Sequence, residues 1–471
     1  MSDVLTTDEP EDLTLNARDV AFLSLEKCEK QQKYSNLEVD AAIDKFKLEG
    51  AEKGLYVNLV YGVIERKITL DFLLSLISTR PVCELDSRIL TPLRMGLYQL
   101  VFMDKIPVNA CVDESVKLAK RTSRGFGGFV NAVLRSFIRE CGDADYKNLE
   151  VILNTGKFKA KYNKLGKYEK MSVLYSYPVW LCRKFTEDYF EEDAARIMTS
   201  QNGATSITLR VNTHKTNRND LIDELSHRGI DAYPTKHSPF GVDVISAPIS
   251  KITDIIEAGD AFVQDEASQL AILALGARSG ETLIDCCACP GGKSFSSAIM
   301  MKNKGKVISC DLHKSKLSLI EKGAERLGLD IINVIEADSS KPCDALIEYR
   351  TNGADRVLCD VPCSGLGVIA KKPEVRYKNE EDIKRLPDIQ YKILENCSGY
   401  VKPGGTLVYS TCTVNPDENE NNVAKFLKEH SEFEACDFEF DDIKSKCGML
   451  TLLPHLHHTD GFFISVMKRI K

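Results

Sequence analysis

No apolar run in the 471-residue sequence approaches the roughly 18 residues needed to cross a bilayer. The first residues, MSDVLTTDEPEDL, are acidic and lack the basic-then-apolar order of an export signal. A cytoplasmic protein that does not span a membrane is therefore expected. A net positive charge is also lacking: with 62 Lys and Arg against 69 Asp and Glu, the net charge of −7 argues against indiscriminate coating of nucleic acid and leaves room only for local basic patches. Internal repeats are absent. Sixteen cysteines are present, but they are scattered through helical and strand-like segments with no secretion signal, so reduced thiols are expected. CCAC at 286–289 is the tightest cluster and lacks a second Cys or His group at zinc-like spacing, so no metal is expected.

A chain of this length with 43% hydrophobic residues exceeds one ordinary core and divides into domains. Residues 1–144 read as an all-α domain, because NARDVAFLSLEKCEK, ELDSRILTPLRMGLYQLVFM and NACVDESVKLAKRT carry apolar positions at spacings of three and four. Pro81, Pro92, Pro107 and the GFGG turn at 125–128 punctuate it. Residues 145–260 read as a lysine-rich connector followed by a small α+β module. There, helical segments give way to short alternating runs (ITLRVN, VDVIS) around the helix NRNDLIDELSHRG. From 261 to 471, buried-strand runs alternate with helical segments: TLIDCC, KVISCD, DRVLCDV and TLVYST each precede one, and INVIEAD is a further strand before DRVLCDV. That alternation predicts an α/β, Rossmann-like, doubly wound parallel sheet. GMLTLLP and GFFISVMKR read as closing antiparallel edge strands.

Two basic stretches interleave aromatics with lysine and arginine, KLAKRTSRGFGGF at 117–129 and KFKAKYNKLGKYEK at 157–170. Each reads either as a solvated face or as a surface for phosphates and unpaired bases.

Ligands of doubly wound sheets bind at the carboxyl ends of the strands. The first strand here ends in DCCACPGGK, 285–293, which has neither GxGxxG nor Walker spacing. Gly291 and Gly292 allow close backbone approach, and the following helix offers unpaired N–H groups. The second strand ends in Asp311, placed to accept both hydroxyls of a ribose, and the third in Asp338, placed to read an adenine amino group. Each acid could instead cap the helix after it. Together they point to a nucleoside-type cofactor. Strands four and five, side by side in this topology, end in DVPCSG and YSTCT, which puts Cys363 and Cys412 at one rim as a nucleophile and its helper.

DCCACPGGK, DRVLCDVPCSGLGVIAKKPEVRY and LVYSTCTVNPDENE resemble the S-adenosylmethionine-dependent RNA cytosine-5 methyltransferases of the NOL/NOP2/Sun superfamily. The helical N-terminal part is similar to a NusB-type RNA-binding domain, and that pairing is the Sun/RsmB arrangement, which acts on bacterial 16S ribosomal RNA. The resemblance implies a C-terminal class I methyltransferase domain with S-adenosyl-L-methionine as cofactor and 16S ribosomal RNA as partner. It implies Cys412 as the thiolate that adds to cytosine C6, Cys363 as the group that helps remove the C5 proton or release the enzyme, and Asp360 as the partner of the cytosine edge. Lys293 would stand near the ring or near the methionine carboxylate. Cofactor contacts would fall on Cys287, Ala288, Cys289, Pro290, Gly291, Gly292, Lys293, Asp311, Asp338 and Asp360. Cys289 stands where the family commonly has alanine, and Ser-Ser follows Asp338 where Ala-Arg is common. AKKPEVRYK keeps the family's basic character and would be a phosphate-contacting loop. The competing reading is a non-catalytic RNA-binding factor that kept the fold, which would tend to lose Cys412, Asp360 or Pro-Gly-Gly. The same chemistry on transfer RNA is a third possibility.

Overall fold

The computed structural model describes residues 15–31, 35–203, 206–245 and 251–471, so the acidic stretch 1–13 lies outside the described residues. The chain divides into two compact units. One runs up to Gly203 and takes in Ile369–Tyr377; the other holds Ala204–Val368 and Lys378–Lys471.

The first unit is helical. Its apolar residues recur at three- and four-residue spacing and are buried on one face, as in the helix Phe126–Cys141 with Val130, Val133, Leu134, Phe137 and Cys141 inside. The helix Ser87–Phe102 starts where the Asp86 side chain accepts from the Arg88 N–H, satisfying one of the unpaired donors of its first turn. Gly96 lets this helix approach its neighbours, since a Cβ there would lie 2.7 Å from Ser115 Oγ and 2.8 Å from a methyl of Leu134. Burial of Leu59, Leu70, Leu73, Leu93, Leu97 and Leu100 supplies the core, at about 1.5–3 kcal/mol for each large apolar side chain.

The lysine-rich stretch 145–170 is also helical, and it contributes Ile152, Leu153 and Phe158 to the same core. Phe158 packs edge-on to Phe137 with ring centroids 5.8 Å apart, and Tyr162 packs likewise against Phe72 at 6.5 Å. Lys157, Lys159, Lys161 and Lys164 face solvent. The stretch is therefore a basic face with Phe158 and Tyr162 turned toward the core, while the half-exposed Tyr168 lies under Lys167 and Arg183. In 117–129, Phe126 and Phe129 lie under Arg88 and Arg80, while Arg121 pairs with Asp19.

The inserted segment Ile369–Tyr377 overturns the reading of AKKPEVRYK as a phosphate-contacting loop at its arginine. Arg376 is fully buried; its guanidinium donates to the carbonyls of Pro373, Glu65 and Ser176 and to Asn202 Oδ1, and it lies 4.4 Å from the Tyr177 ring. The Tyr377 hydroxyl donates to the Ile64 carbonyl, and Glu374 accepts from the Ser35 N–H and hydroxyl.

The second unit opens with strands β1 (Ile207–Val211), β2 (Asp231–Pro234), β3 (Gly241–Ile245) and β4 (Ala261–Val263), an antiparallel sheet in the order β2-β3-β1-β4. Its helix, Arg218–His227, begins at Asn217, whose side chain accepts from the N–H groups of Asn219 and Asp220. The larger sheet is built from β5 (Thr282–Asp285), β6 (Lys306–Asp311), β7 (Ile332–Glu336), β8 (Ala354–Asp360), β9 (Val401–Thr411), β10 (Phe433–Ala435), β13 (Met449–Leu452) and β14 (Phe462–Arg469). A two-residue pair, β11 (Glu439–Phe440) and β12 (Ile443–Lys444), stands apart. Among the described residues the order is β10-β14-β9-β8-β5-β6-β7, with β13 also on β14.

Strands β5 to β9 run parallel; β5, β6, β8 and the second half of β9 are largely buried and read as apolar runs, whereas β7 is the edge strand and is only partly covered. The closing β14 is antiparallel, as expected, but it lies inside the sheet, pairing with β9 on one side and with β10 and β13 on the other. The chain winds one way through β6 and β7 and the other way through β8 and β9. The switch point therefore falls between β5 and β8, where a crevice opens at the carboxyl ends.

Candidate active site

The loop after β5 builds one wall of that crevice. The Ala288 N–H donates to the Cys310 carbonyl at 2.8 Å, holding the loop against the end of β6. Gly291 has φ of 111°, and a Cβ there would meet the Phe295 ring at 2.3 Å, so only glycine makes this turn. A Cβ at Gly292 would find Gln264 Nε2 at 3.5 Å, an ordinary contact, so the space beside it is open. The helix Gly292–Met300 follows directly, with its first N–H groups at the same rim.

Acids stand at the ends of β5 and β6 and just beyond β7. Asp285 is fully buried; its Oδ2 accepts from Ser294 at 2.7 Å, while Oδ1 has no hydrogen-bond partner among the described residues. Burial raises its pKa to about 7; the Ser294 hydroxyl acts against the shift and the nearby charge of Asp360 adds to it. Asp311 accepts from the His313 N–H at 2.9 Å and from the Cys289 N–H at 3.3 Å, so it organises the next turn and the glycine loop together. Asp338 accepts from Ser340 through both N–H and hydroxyl. That hydroxyl bond, more than the Lys341 ion pair, holds its pKa below the usual carboxylate range. Of the other predicted contacts, Ala288 is buried, Cys287 and Cys289 are half-buried, and Pro290 immediately precedes the Gly291 turn.

The opposite wall comes from β8 and β9, whose register places Asp360 beside Ser410. Ser410 Oγ donates to Asp360 Oδ1 at 2.8 Å, and Lys293 Nζ donates to Oδ2 at 2.7 Å. Lys293 therefore reaches across from the glycine loop to the end of β8, with its ammonium 5.2 Å from the Phe462 ring. Burial alone would depress the lysine, but the Asp360 carboxylate, with smaller help from Cys412 and Asp285, raises its pKa above the ordinary value. Beyond the two strand ends, the sulfurs of Cys363 and Cys412 lie 3.2 Å apart. The hydrogen bond to Cys412, then burial and the Glu418 charge, push the Cys363 thiol well up, and either sulfur can donate the proton that lies between them.

What holds the two cysteine turns together escaped the sequence reading. Glu418 is fully buried in the acidic, Asn-rich segment after Cys412. It accepts from the Ser364 N–H, from Gln390 Nε2 and from Asn415 Nδ2, each at 2.8 Å. Ser364 Oγ and Thr413 Oγ1 meet at 2.7 Å, and Asn419 donates to the Thr413 carbonyl at 2.9 Å. The run DENENN was the available signal: charged and amide residues in such density after a strand are either solvated or spent on loops.

A Gly-rich turn after the first parallel strand, acids at the next strand ends and an antiparallel β14 beside β9 define a Rossmann-like methyltransferase domain, which follows a helical domain and a small α+β module along the chain. The chain belongs to the family of the ribosomal RNA small subunit methyltransferase B proteins. It is 37% identical to the probable ribosomal RNA small subunit methyltransferase B of Bacillus subtilis, over 96% of this chain and 99% of that one. To the probable counterpart in Synechocystis it is 32% identical, over 97% and 100%. Residues 272–468 match the family described as 16S rRNA methyltransferase RsmB/F, residues 15–139 match the NusB family, and 177–249 match an RsmF/B-like ferredoxin-like domain. The crystal structure of PH0851 superposes with a TM-score of 0.79 at 26% identity, covering 98% of this chain and all of that one. A methyltransferase homologue from Pyrococcus horikoshii superposes at 0.56 with 25% identity, over 65% of this chain and all of that one.

Proposed function

We propose that the protein methylates C5 of a cytidine in 16S ribosomal RNA through a covalent bond between Cys412 and C6, with S-adenosylmethionine as methyl donor. The observation that carries this reading is the pair of cysteines 3.2 Å apart at the ends of adjacent parallel strands, next to the Lys293–Asp360 ion pair. The relatives named above as ribosomal RNA small subunit methyltransferases support the substrate class.

The donor set fits the cofactor. Asp285 Oδ1 is a buried acceptor lacking a partner, suited to an ammonium group, and Asp311 closes the ribose end. The turn at Gly291 and Gly292, with Cys287, Ala288, Cys289 and Pro290 before it, would lie along the cofactor, and Asp338 would face the base. When bound, the cofactor supplies an electrophilic methyl group on a sulfonium.

The chain's own residues do the rest. Cytosine C5 is too weak a nucleophile until a thiolate adds to C6. The Cys412 sulfur forms the S–C6 bond, and the C5–C6 π electrons become available at C5. Cys363 donates a hydrogen bond to the Cys412 thiolate before attack. Once that sulfur is bonded to C6, Cys363 gives up its proton to solvent and as thiolate accepts the C5 proton, the C5–H electrons re-form the C5–C6 double bond, the S–C6 bond breaks and Cys412 leaves as thiolate. Asp360, fixed by Ser410 and Lys293, keeps lone pairs for the cytosine amino N–H, and for an N3–H once N3 takes up a proton as the thiolate adds, which relieves the negative charge that addition places on the ring. The Lys293 ammonium offsets the Asp360 charge and contributes a positive field at the sulfur.

Incubation with ribosomal RNA and cofactor, followed by denaturing electrophoresis, tests the assignment. Cys412→Ala should give no denaturant-resistant protein–RNA band, whereas Cys363→Ala should accumulate one. An adduct with Cys412→Ala would remove the nucleophile from this position. Bisulfite mapping of ribosomal RNA with and without the protein then locates the cytidine, and an unchanged map would favour a non-catalytic binding role.

A further inference from the structure

Outside the methylation site, three more cysteines converge. Cys286 starts the loop after β5, Cys359 is the penultimate residue of β8, and Cys397 lies in the last turn of the helix Leu386–Ser398. All three are buried, and their sulfurs lie within 4.8 Å of one another. We propose that this trio is a binding site for a soft, thiophilic metal ion of the copper(I) class.

Geometry is the first argument. A metal–thiolate bond of about 2.3 Å, with three sulfurs in a plane around the ion, sets the sulfurs about 4.0 Å apart. That spacing is compatible with three sulfurs that all lie within 4.8 Å of one another. The donor set is the second. It is all sulfur, with no His, Asp or Glu among its members, which excludes hard cations such as magnesium and calcium. Structural zinc takes four ligands, whereas thiolate donors of this softness suit copper(I).

The surroundings are the third. The Cys397 thiol donates to the Ser339 carbonyl at 3.5 Å, and Ser339 Oγ donates to the Cys286 carbonyl at 2.5 Å, so one residue braces two of the three ligands. Arg350, fixed by Asn396 and stacked on Tyr400 at 4.4 Å, places a cation on the Cys397 side of the trio. Binding displaces three S–H protons and forms three metal–sulfur bonds, with no change in oxidation state. The ion would tie the ends of β5 and β8 to the helix beneath the glycine loop, one residue from both Asp285 and Asp360.

The test uses the reduced full-length protein under anaerobic conditions, titrated with copper(I) against a chromophoric chelator. One tightly held ion per chain is expected, with X-ray absorption showing three sulfur neighbours at about 2.3 Å. The pair Cys363 and Cys412 could bind the same probe, but it offers only two sulfurs, and the Cys363→Ser, Cys412→Ser double variant should keep the tight ion. Cys286→Ser, Cys359→Ser and Cys397→Ser should each lose more affinity than the about 10–100-fold that removing an outer-shell partner costs. Two sulfur neighbours, loss of the ion in the double variant, or affinity no tighter than that of the unfolded chain would overturn the proposal. The X-ray measurement on unmutated protein keeps the test valid should a serine variant fail to fold.

Discussion

Replacing Glu418 with glutamine should loosen the turn that carries Cys363 without disturbing the cofactor loop. The carboxylate accepts from Ser364 N–H and Gln390 Nε2 through Oε2 and from Asn415 Nδ2 through Oε1. A glutamine can keep an oxygen facing the first two donors only by turning its own NH2 toward the Asn415 amide. Asn415 cannot flip freely to accept, because its Oδ1 already receives the Asp417 N–H at 3.2 Å. One buried bond is lost, at about 1–3 kcal/mol, and two charge-assisted bonds become neutral, at about 1 kcal/mol each. Relief from desolvating a carboxylate offsets part of this. A net local loss of about 2–3 kcal/mol remains, equivalent to about 30- to 150-fold more opening of the segment. Hydrogen exchange of the peptide containing the Ser364 amide should accelerate by that factor, adduct formation should slow, and cofactor affinity should hold, since Glu418 makes no hydrogen bond to 285–293. Unchanged exchange together with unchanged adduct formation would refute the bracing role.

Asp311→Ala should weaken cofactor binding by roughly 1.5–3 kcal/mol in titration calorimetry while leaving RNA affinity intact; an unchanged cofactor affinity would mean that Asp311 serves only the turns it already holds. Asp285 makes stability pH-dependent. Its folded-state pKa of about 7 lies above the ordinary 3.8, so the folded protein binds the extra proton. Stability should fall by up to about 1.4 kcal/mol per unit as pH rises from near 4 to near 7, and Asp285→Asn should flatten that slope in melts across the range. Replacing Lys157, Lys159, Lys161 and Lys164 with alanine should shrink the salt dependence of RNA binding, because these exposed side chains release counterions on contact with phosphates; an unaltered slope places the RNA elsewhere.

The elements themselves were legible along the chain. Apolar residues at helical spacing marked the first unit, and largely buried runs marked β5, β6, β8 and β9, because burial on both faces leaves its imprint locally. Strand-end chemistry followed, since a parallel sheet puts every carboxyl end at one rim, and Lys293, Asp360, Cys363 and Cys412 could be expected together there. Contacts decided by register and chain return were not legible. Arg376 looked like a phosphate ligand because lysines surround it, yet Ile369–Tyr377 belongs to the helical unit, where Arg376 meets main-chain carbonyls. Phe158 and Tyr162 alternate with lysines as though to stack on bases, but one helical turn sends the aromatics inward and the charges out. Nothing along the acidic run after Cys412 announces that folding buries Glu418 among donors from Ser364, Gln390 and its own turn at Asn415. CCAC looked inert toward metals because spacing along the chain sees no further ligand, whereas β8 and the following helix bring Cys359 and Cys397 to Cys286. Periodicity tells which side of its own element a residue faces; which residues of other elements it meets is set by strand order, register and crossovers, and these exist only once the chain has folded.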